Sequence, residues 1–530
     1  MRTKIKVGST ELLLAAAGIY TTIIMLTNFC GSCWFTSDMY ADAYLAEIMA
    51  REGTLFPQSW VFGNQFYVIA TPAIAGLLCN FIGDGTLALR LASCIMTSAV
   101  LLLFYWCVRP FCTKRGMAAG LCCISGAVLI GQSFSTDLRT FQILYTMGSY
   151  YACYLIGILL CMGVYFRLDT GKGVNWAVIT ASCLLCFALG MQSLRETLLL
   201  FIPLSVMELW YCLIAKRRNK KRFVFVLLSC ASNIWGLLLI KRINVNANPI
   251  TETPTLVSAC GEAFENLTDS LAQLMSLIGL DYLTKGTKWL PLGIAAVFIL
   301  AVSVTALITI IIRKDSSPIA QICIFSWISI LGVLAVGTLL MRTRNIYYFV
   351  WFFLAAMSFV YMTETITRGR SALLALLLLC AAGNCFYNLY PDAVKYREMS
   401  TFSRRVADSL VDRQISYVWQ DFSTMPIIAS SSKGKIISNV IELTGLPDQL
   451  FCSPATLMDK SAYENIDPER SRIIFAEADF MDGAITYIRT MASAEYKQEL
   501  SEKLKLESVE ECRYMTFYIY SFSDSSIIAG

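Results

Sequence analysis

The side chains best suited to chemistry in this sequence are carboxylates and guanidinium groups next to apolar segments. Asp38 and Asp42 are four residues apart, so on a helix they lie on the same side, one turn from each other. Two carboxylates this close repel unless a proton, a cation or a substrate lies between them. The pair therefore predicts a general base or a binding site. The alternative is two solvated residues on an interfacial helix.

A second set of polar residues lies in loops between later apolar segments. Charges at that depth are costly and usually line a cavity. Guanidinium groups bind phosphate oxygens through paired N–H donors, so they predict an anionic substrate at the membrane surface. For the pair at 342 and 344 the alternative is interfacial anchoring, with the charged heads in water. The candidate residues in these loops are Asp137, Arg139, Arg195, Arg342, Arg344 and Tyr347.

The chain contains no histidine. This excludes Ser–His and Cys–His nucleophile pairs, histidine metal sites and histidine proton relays. Most of the cysteines lie in apolar runs and act there as small hydrophobic residues. Cys30 and Cys33 form one isolated C-x-x-C, which is too few ligands for structural zinc. Carboxylates are therefore the best candidates for acid–base work.

The elements that must position these residues are membrane helices. Of the 530 residues, 56% are hydrophobic and 15% are charged, which departs from soluble domains in both directions. The composition excludes a soluble enzyme, a disordered scaffold and a disulfide-rich secreted domain, and predicts a polytopic α-helical membrane protein with about eleven spans. The predicted spans are 11–30, 91–108, 116–133, 143–166, 175–192, 198–215, 223–241, 289–312, 318–341, 346–363 and 371–390.

The assignment of residues 66–83 sets the topology. This stretch contains Pro72 and only just reaches spanning length. If it lies in the interface, the basic loops RPFCTKR and KRRNKKR both face the cytoplasm, as the positive-inside rule requires. We therefore expect a cytoplasmic N-terminus with a retained signal anchor. We also expect an external loop over 31–90, with interfacial helices over 38–52 and 66–83.

The character of the chain changes after residue 391. Residues 392–530 hold 15 Lys and Arg against 21 Asp and Glu, a net charge of −6, whereas the preceding part holds 28 against 17, or +11. A helical pattern covers 400–414, and strand patterns cover 426–429, 472–476 and 515–522. The sequence predicts a membrane domain over 1–391, followed by a soluble α/β domain over 392–530 outside the cytoplasm.

Several short motifs resemble the GT-C glycosyltransferases, and most of all the protein O-mannosyltransferases and the bacterial aminoarabinose transferases that modify lipid A. The first external loop of those proteins has an acidic residue, a short helix, an apolar interfacial helix and an arginine that opens the next span. Two departures are that Met39 stands where the family has a second acid, and Asn64-Gln65 where it has Lys-Pro-Pro. The matching elements here are Asp38, YLAEIMAREG (44–53), FYVIATPAIAGLLCNFIG (66–83), LALRLAS with Arg90, the later acid Asp137, and RTRNIYY (342–348).

The resemblance implies an inverting glycosyltransferase that takes a sugar from a polyprenyl-phosphate carrier on the extracytoplasmic face. The acceptor would be an envelope protein, polymer or lipid. Asp38 would be the general base, with Asp42 as the alternative, and Asp137 would orient groups near it or bind acceptor hydroxyls. The residues implied to bind substrate or lipid phosphate are Asp42, Arg90, Arg139, Arg195, Arg342, Arg344 and Tyr347.

The same resemblance implies no required cofactor. A divalent metal held by Asp38, Asp42 and Asp137 is the alternative, since hard cations prefer oxygen ligands. Membrane lipids are expected partners, nucleic acids are not, and the expected location is a bacterial cell membrane.

Two other functions stay open at this level. A transporter or lipid-carrier flippase would explain the spans, but paired repeats with charges at mid-membrane are not evident. A membrane-anchored binding module would have its function in residues 392–530.

Overall fold

The computed structural model forms two compact units. The residues that it describes are 8–30, 37–63, 66–132, 147–171, 173–213, 219–243, 245, 260–284, 286–340, 345–365, 394–395, 397–420, 425–440, 442–443, 450–451, 458–459, 467–478, 503–523 and 528–529. The first unit comprises residues 1–28, 93–242 and 252–389, and the second comprises 29–92, 243–251 and 390–530. The second unit thus groups the first loop with the C-terminal tail, which the sequence did not indicate.

The first unit consists of apolar helices. Among the described residues, six helices are long and apolar enough to cross a membrane, and four more are apolar but shorter. Every predicted span within the described residues coincides with a helix, while the span at 371–390 lies outside them. The polytopic helical architecture is confirmed. In chain order the helices are α1 (Ser9–Phe29), α4 (Gly85–Val108, begun in the second unit), α5 (Lys114–Gln132), α6 (Ala152–Asp169), α7 (Trp176–Gln192), α8 (Ile202–Leu213), α9 (Lys220–Ile240), α10 (Cys260–Ile278), α11 (Leu290–Arg313), α12 (Pro318–Leu339) and α13 (Val350–Thr365).

Helices α7 and α9 pack closely because each has a glycine at the contact. A Cβ built on Gly190 would lie 2.0 Å from the backbone oxygen of Asn233, and one built on Gly236 would lie 2.0 Å from that of Phe187. The Asn233 side chain donates to the Cys186 carbonyl at 3.0 Å and accepts from Thr197 at 3.0 Å. Small residues and interhelical hydrogen bonds of this kind hold membrane helices together.

Two elements of the first unit were not predicted. Helix α10 is an amphipathic helix in the segment between the predicted spans 223–241 and 289–312. A π-helical turn, Thr197–Phe201, leads into α8 in place of a regular helix start. Single π turns occur frequently at functional sites.

The second unit contains the first loop. Helix α2 (Ser37–Glu52) covers the predicted 38–52, and its side chains from residue 39 to 49 are almost all buried. Helix α3 (Thr71–Ile82) begins at a proline-containing first turn and ends at Gly83, whose φ of 66° suits glycine. At 12 residues, α3 is shorter than the predicted 66–83 and too short to span a membrane.

Gly85 lets the start of α4 approach α2. A Cβ at this position would lie 2.3 Å from the Ala43 carbonyl oxygen and 2.6 Å from the Glu47 side chain. A larger residue would force the two helices apart.

The tail forms a mixed sheet with flanking helices. Strands β2 (Tyr417–Gln420), β3 (Ile437–Val440), β7 (Ser471–Ala478), β8 (Leu504–Cys512) and β9 (Met515–Phe522) are ordered β3-β2-β7-β9-β8. Strand β2 is parallel to β3 and β7, whereas β9 is antiparallel to β7 and β8. The predicted strands at 472–476 and 515–522, and the helix (α14, 397–412), are confirmed.

The remaining strands are short. Strand β1 (Trp60–Val61) in the first loop pairs antiparallel with β6 (Met458–Asp459) in the tail. Strands β4 (Glu442–Leu443), β5 (Leu450–Phe451) and β10 (Ile528–Ala529) form a separate small sheet.

One predicted strand is wrong. Residues 426–429 lie in a short helix, α15 (Met425–Ser431). Pro426 is the second residue of this helix, where the missing N–H costs nothing and the fixed φ favours a helix start. The apolar run Ile427 to Ala429 is too short for its periodicity to separate helix from strand.

Candidate active site

Helix α2 carries the two predicted carboxylates of the first loop. Asp38 is its second residue, and its side chain lies outside the described part of the chain. Asp42, one turn later, is only 1% exposed. The alternative of two solvated surface residues is therefore wrong for Asp42. Burying a carboxylate costs free energy unless other groups bind it. Asp42 is therefore part of the packed interior of this loop and not of its surface.

Arg90 lies in the same unit, near the start of α4, and is half-buried. Its helix is fixed against α2 by a second carboxyl group. Glu47 accepts a hydrogen bond from the Gly85 N–H at 2.9 Å. Burial raises the pKa of Glu47 to about 8, with a further increase from Asp84 opposed by that hydrogen bond and by Arg51 and Lys433. Glu47 thus joins α2 to the start of α4, and its raised pKa favours the neutral, protonated form of this carboxyl group.

A carboxylate of the tail binds two side chains of α2. Asp459, in β6, is completely buried and accepts hydrogen bonds from Tyr44 at 3.3 Å and from Arg51 at 3.0 Å. Burial, and then the charge of Asp459, raises the pKa of Tyr44 well above its ordinary value, so Tyr44 stays a hydrogen-bond donor. The Tyr44 ring also meets Trp60 edge to face, with 5.9 Å between ring centroids. These contacts fix the helix that carries Asp38 and Asp42.

Arg195, in the first unit, lies among tyrosine rings in the turn between α7 and the π-helical segment. Its guanidinium carbon is 5.3 Å from the centroid of Tyr151, 5.8 Å from that of Tyr154 and 5.9 Å from that of Tyr347. A guanidinium within about 6 Å of an aromatic face is attracted to it. The structure therefore brings together two predicted site residues, Arg195 and Tyr347, from distant parts of the sequence.

The turn that holds Arg195 is fixed by Ser193. The hydroxyl groups of Ser193 and Tyr154 are hydrogen-bonded at 2.6 Å, and the backbone N–H of Arg195 donates to the Ser193 Oγ at 3.2 Å. We refer to Arg195, Tyr151, Tyr154 and Tyr347 as the tyrosine cluster. A planar cation held in one orientation suits a phosphate oxygen pair.

Glu196 is a buried carboxyl group next to this cluster. It is 0% exposed, and neither carboxyl oxygen has a hydrogen-bond partner among the residues that the structure describes. Burial raises its pKa well above the ordinary value. The sequence indicated only that a charge in so short a loop should line a cavity, without a role for it.

The structure does not describe the other predicted site residues. Asp137, Arg139, Arg342 and Arg344 lie outside the described ranges. Within the ranges that are described, no group of three or more Cys, Asp or Glu side chains is arranged to hold a metal ion. The predicted metal trio needs Asp38 and Asp137, so it stays a prediction.

Comparison with known proteins gives a fold. No protein-family model matches the chain, and no curated protein matches it. Two solved structures that match are crystal structures of ArnT from Cupriavidus metallidurans, one in the apo state and one bound to undecaprenyl phosphate. Each is 10% identical to this chain with a TM-score of 0.53. The apo comparison covers 95% of this chain and 98% of ArnT, and the lipid-bound one covers 97% and 99%.

At 10% identity such a likeness shows the fold alone. It extends over nearly the whole chain and includes both the helical part and the tail. The chain therefore has the fold of ArnT, and the predicted architecture of apolar membrane helices followed by a C-terminal α/β domain is confirmed.

Proposed function

We propose that this protein is an inverting membrane glycosyltransferase that moves a sugar from a polyprenyl-phosphate carrier to an envelope acceptor on the extracytoplasmic face. The observation that carries the proposal is the likeness of 97% of the chain to an ArnT structure bound to undecaprenyl phosphate. Fold alone does not assign an activity, so the proposal also needs residues that suit the reaction.

The tyrosine cluster supports the donor side of the proposal. The Arg195 guanidinium lies near the rings of Tyr151, which directly precedes α6, of Tyr154 on α6, and of Tyr347 in the turn Asn345–Tyr348. A guanidinium whose orientation is already fixed loses little freedom when it binds a phosphate. Arg342 and Arg344 precede Tyr347 in the sequence and would add donors to the same phosphate.

In the proposed reaction, an acceptor hydroxyl oxygen attacks the anomeric carbon of the carrier-linked sugar. Asp38 accepts the hydroxyl proton as the new C–O bond forms. The bond from the anomeric carbon to the phosphate oxygen breaks, and its electron pair stays on the phosphate of the carrier. The displacement is in line, so the configuration inverts. Arginine side chains stabilise the negative charge that develops on the leaving phosphate.

Asp42 and Arg90 belong to the same unit as Asp38 and would bind the sugar or position the base. Asp137 would bind acceptor hydroxyls, and Arg139 would add charge near it. The divalent metal at Asp38, Asp42 and Asp137 remains the alternative arrangement.

The deciding experiment gives the purified full-length protein a polyprenyl-phosphate sugar pool and envelope acceptors, and follows sugar transfer. The Asp38→Asn variant keeps the size of the side chain but cannot accept the proton. We expect its rate to fall at least about a hundredfold, the scale of general base catalysis. Asp408→Asn is the matched control, because Asp408 is exposed on α14 in the tail.

Unchanged transfer by Asp38→Asn would refute the assignment of Asp38, and the same substitution at Asp42 would then identify the base. Movement of intact carrier lipid across vesicles without any transfer would favour a flippase instead. The proposed orientation is tested separately with trypsin added outside intact spheroplasts, which should cleave the tail.

A further inference from the structure

A cavity of about 440 Å³ lies at the end of α6, at the start of α7 and at the start of α9. Its volume falls in the range of sites for small ligands or headgroups. Its walls are of two kinds. Arg167, Lys220 and Lys221 line it with positive charge, and Trp176, Val224 and Leu228 line it with apolar surface.

The charged wall has no acidic residue of its own. None of the described residues that line the cavity is a carboxylate. Lys220 and Lys221 are exposed, and no described carboxylate lies within ion-pair distance of either ammonium group. They are the first two residues of α9, whose positive dipole end adds to their charge.

In contrast to the two lysines, the next residue, Arg222, is paired with carboxylates. It is 2% exposed and pairs with Asp169 at 2.7 Å, while its guanidinium also donates to Glu208 at 3.4 Å. Arg222 therefore uses these two carboxylates, which leaves the two exposed lysines as a net positive surface. Arg167 is buried in the wall, where its guanidinium donates to the Gly163 carbonyl at 2.9 Å. Arg167 is fixed in the wall by its contact with the Trp106 ring, 3.7 Å away.

The apolar wall continues along a helix that can cross a membrane. Val224 and Leu228 are one turn apart on α9 and are 48% and 49% exposed. Trp176 is 78% exposed at the start of α7. An exposed tryptophan next to lysines is typical of the membrane–water interface.

The cavity is separate from the tyrosine cluster. Tyr154 is near the start of α6 and Arg167 is near its end. Thirteen helical residues at 1.5 Å each place them about 20 Å apart along the axis. The cavity and the proposed donor phosphate site are thus at opposite ends of one helix, and hence near opposite leaflets.

We propose that this cavity binds the phosphate headgroup of an anionic glycerophospholipid from the adjoining leaflet, with an acyl chain lying along Val224 and Leu228. A headgroup with one negative charge matches the two exposed lysines, which have no carboxylate partner in the described part of the chain, and the exposed apolar column accepts the acyl chain. Basic pockets between membrane helices bind anionic headgroups in this way. A soluble anion would use the charged wall and leave the apolar wall uncovered.

The test measures lipid retained by the full-length protein in native mass spectrometry, with phosphatidylglycerol and phosphatidylcholine of the same acyl chains. We expect phosphatidylglycerol to be retained preferentially. The double variant Lys220→Gln/Lys221→Gln should bind it about ten- to thirtyfold more weakly, on the scale of two lysine–headgroup attractions. Binding of phosphatidylcholine should not change.

Two further variants separate charge from shape. Arg313→Gln/Lys314→Gln removes two charges from a different basic loop and should leave binding as in the wild type. Gly173 lines the cavity, and a Cβ at this position meets no described atom within 4 Å, so Gly173→Phe should fill the cavity and weaken binding with all charges kept.

Equal retention of the two lipids by the wild-type protein would overturn the proposal. So would unchanged phosphatidylglycerol binding in the double variant, or full displacement of the lipid by inorganic phosphate. None of these readouts depends on sugar transfer, so the lipid site and the transferase can fail independently.

Discussion

The Arg195 side chain is surrounded by aromatic rings. Its guanidinium lies 5.3–5.9 Å from the centroids of three tyrosine rings. These rings favour a flat, delocalised cation over a compact ammonium group. The value of an arginine at this position therefore lies in its shape as well as its charge.

If Arg195 binds the donor phosphate, Arg195→Lys should lower kcat/KM for the polyprenyl-phosphate sugar about tenfold, and Arg195→Gln about a hundredfold, within the range for lost oxyanion donors. Initial rates at varied donor concentration measure both. Arg405→Lys is the matched control, because Arg405 is an exposed arginine that contacts Phe402 at 5.4 Å in the tail. Equal rates for Arg195→Lys and the wild type would contradict a geometric role.

Glu47 predicts a pH dependence of stability. Burial raises its pKa from 4.5 to about 8. The folded chain thus holds a proton over this range that the unfolded chain releases, so the free energy of unfolding falls as the pH rises from about 4.5 to about 8. The contribution is a few kcal/mol, at about 1.4 kcal/mol for each pKa unit.

The measurement is the apparent Tm between pH 5 and pH 9 for the wild type and for Glu47→Gln. Glutamine still accepts from the Gly85 N–H but cannot ionise. We expect the variant to lose less Tm than the wild type as the pH rises. Parallel curves for the two proteins would show that Glu47 does not ionise in this window.

Among the elements, the pair of α7 and α9 depends on close contact between backbones. Gly190→Ala adds a Cβ about 2.0 Å from the Asn233 carbonyl oxygen, so the helices must separate. Overpacking of this kind costs about 1–3 kcal/mol, and we expect the apparent Tm of the purified protein to fall by several degrees.

Gly332→Ala, in α12, is the control for the effect of an added methyl group. Among the residues that the structure describes, Leu198 is the one that a Cβ there meets, at an ordinary 3.6 Å. A similar fall in Tm for both variants would mean that the close contact between α7 and α9 does not cause the loss of stability in Gly190→Ala.

The elements also show how far the sequence predicts this fold. Apolar length and the basic loops predicted the helices of the first unit, because hydrophobicity is a local property of the chain. The alternation in 515–522 predicted β9, whose Met515, Phe517 and Ile519 are buried. In contrast, 426–429 was mistaken for a strand, since a four-residue apolar run carries no usable period.

The candidate site was predictable only in its residue types. The acid pair Asp38 and Asp42 was visible from helical spacing, and Arg195 from its position in a short loop. The contact of Arg195 with Tyr347 depends on residues 152 positions apart, which no local pattern encodes. The roles of Glu47 and Asp459 depend on burial, and burial of an ordinary acidic residue has no signature in one sequence.

At the scale of the whole molecule, residues from both ends of the chain build the second unit. Asp459 binds Tyr44 and Arg51 of α2, and β6 pairs with β1. The tail is therefore a structural part of the loop that carries Asp38. A function that lived only in the tail would not require this attachment.

Asp459→Asn should loosen α2 without unfolding the tail sheet. A hydrogen bond to a charged group contributes about 1.5–3 kcal/mol, so amide hydrogen exchange in residues 44–52 should become about tenfold faster or more. Under the proposed function, sugar transfer should slow as well.

Glu507→Gln is the comparison, since Glu507 accepts from Arg472 at 2.9 Å within the tail. It should change exchange near β8 and leave α2 as it is. Unaltered exchange in α2 of the Asp459→Asn variant would show that other contacts hold the helix.

The bond between Tyr44 and Asp459 joins residues 415 positions apart. Translation at about 5–20 residues per second separates the appearance of the two by about 20–80 s. During that interval the tail has not yet been made, so the surface of α2 that it later covers stays exposed on the ribosome-bound chain. A message truncated before codon 459 would leave this surface uncovered permanently, so such fragments should be recognised by quality-control proteases even when every membrane helix has been inserted.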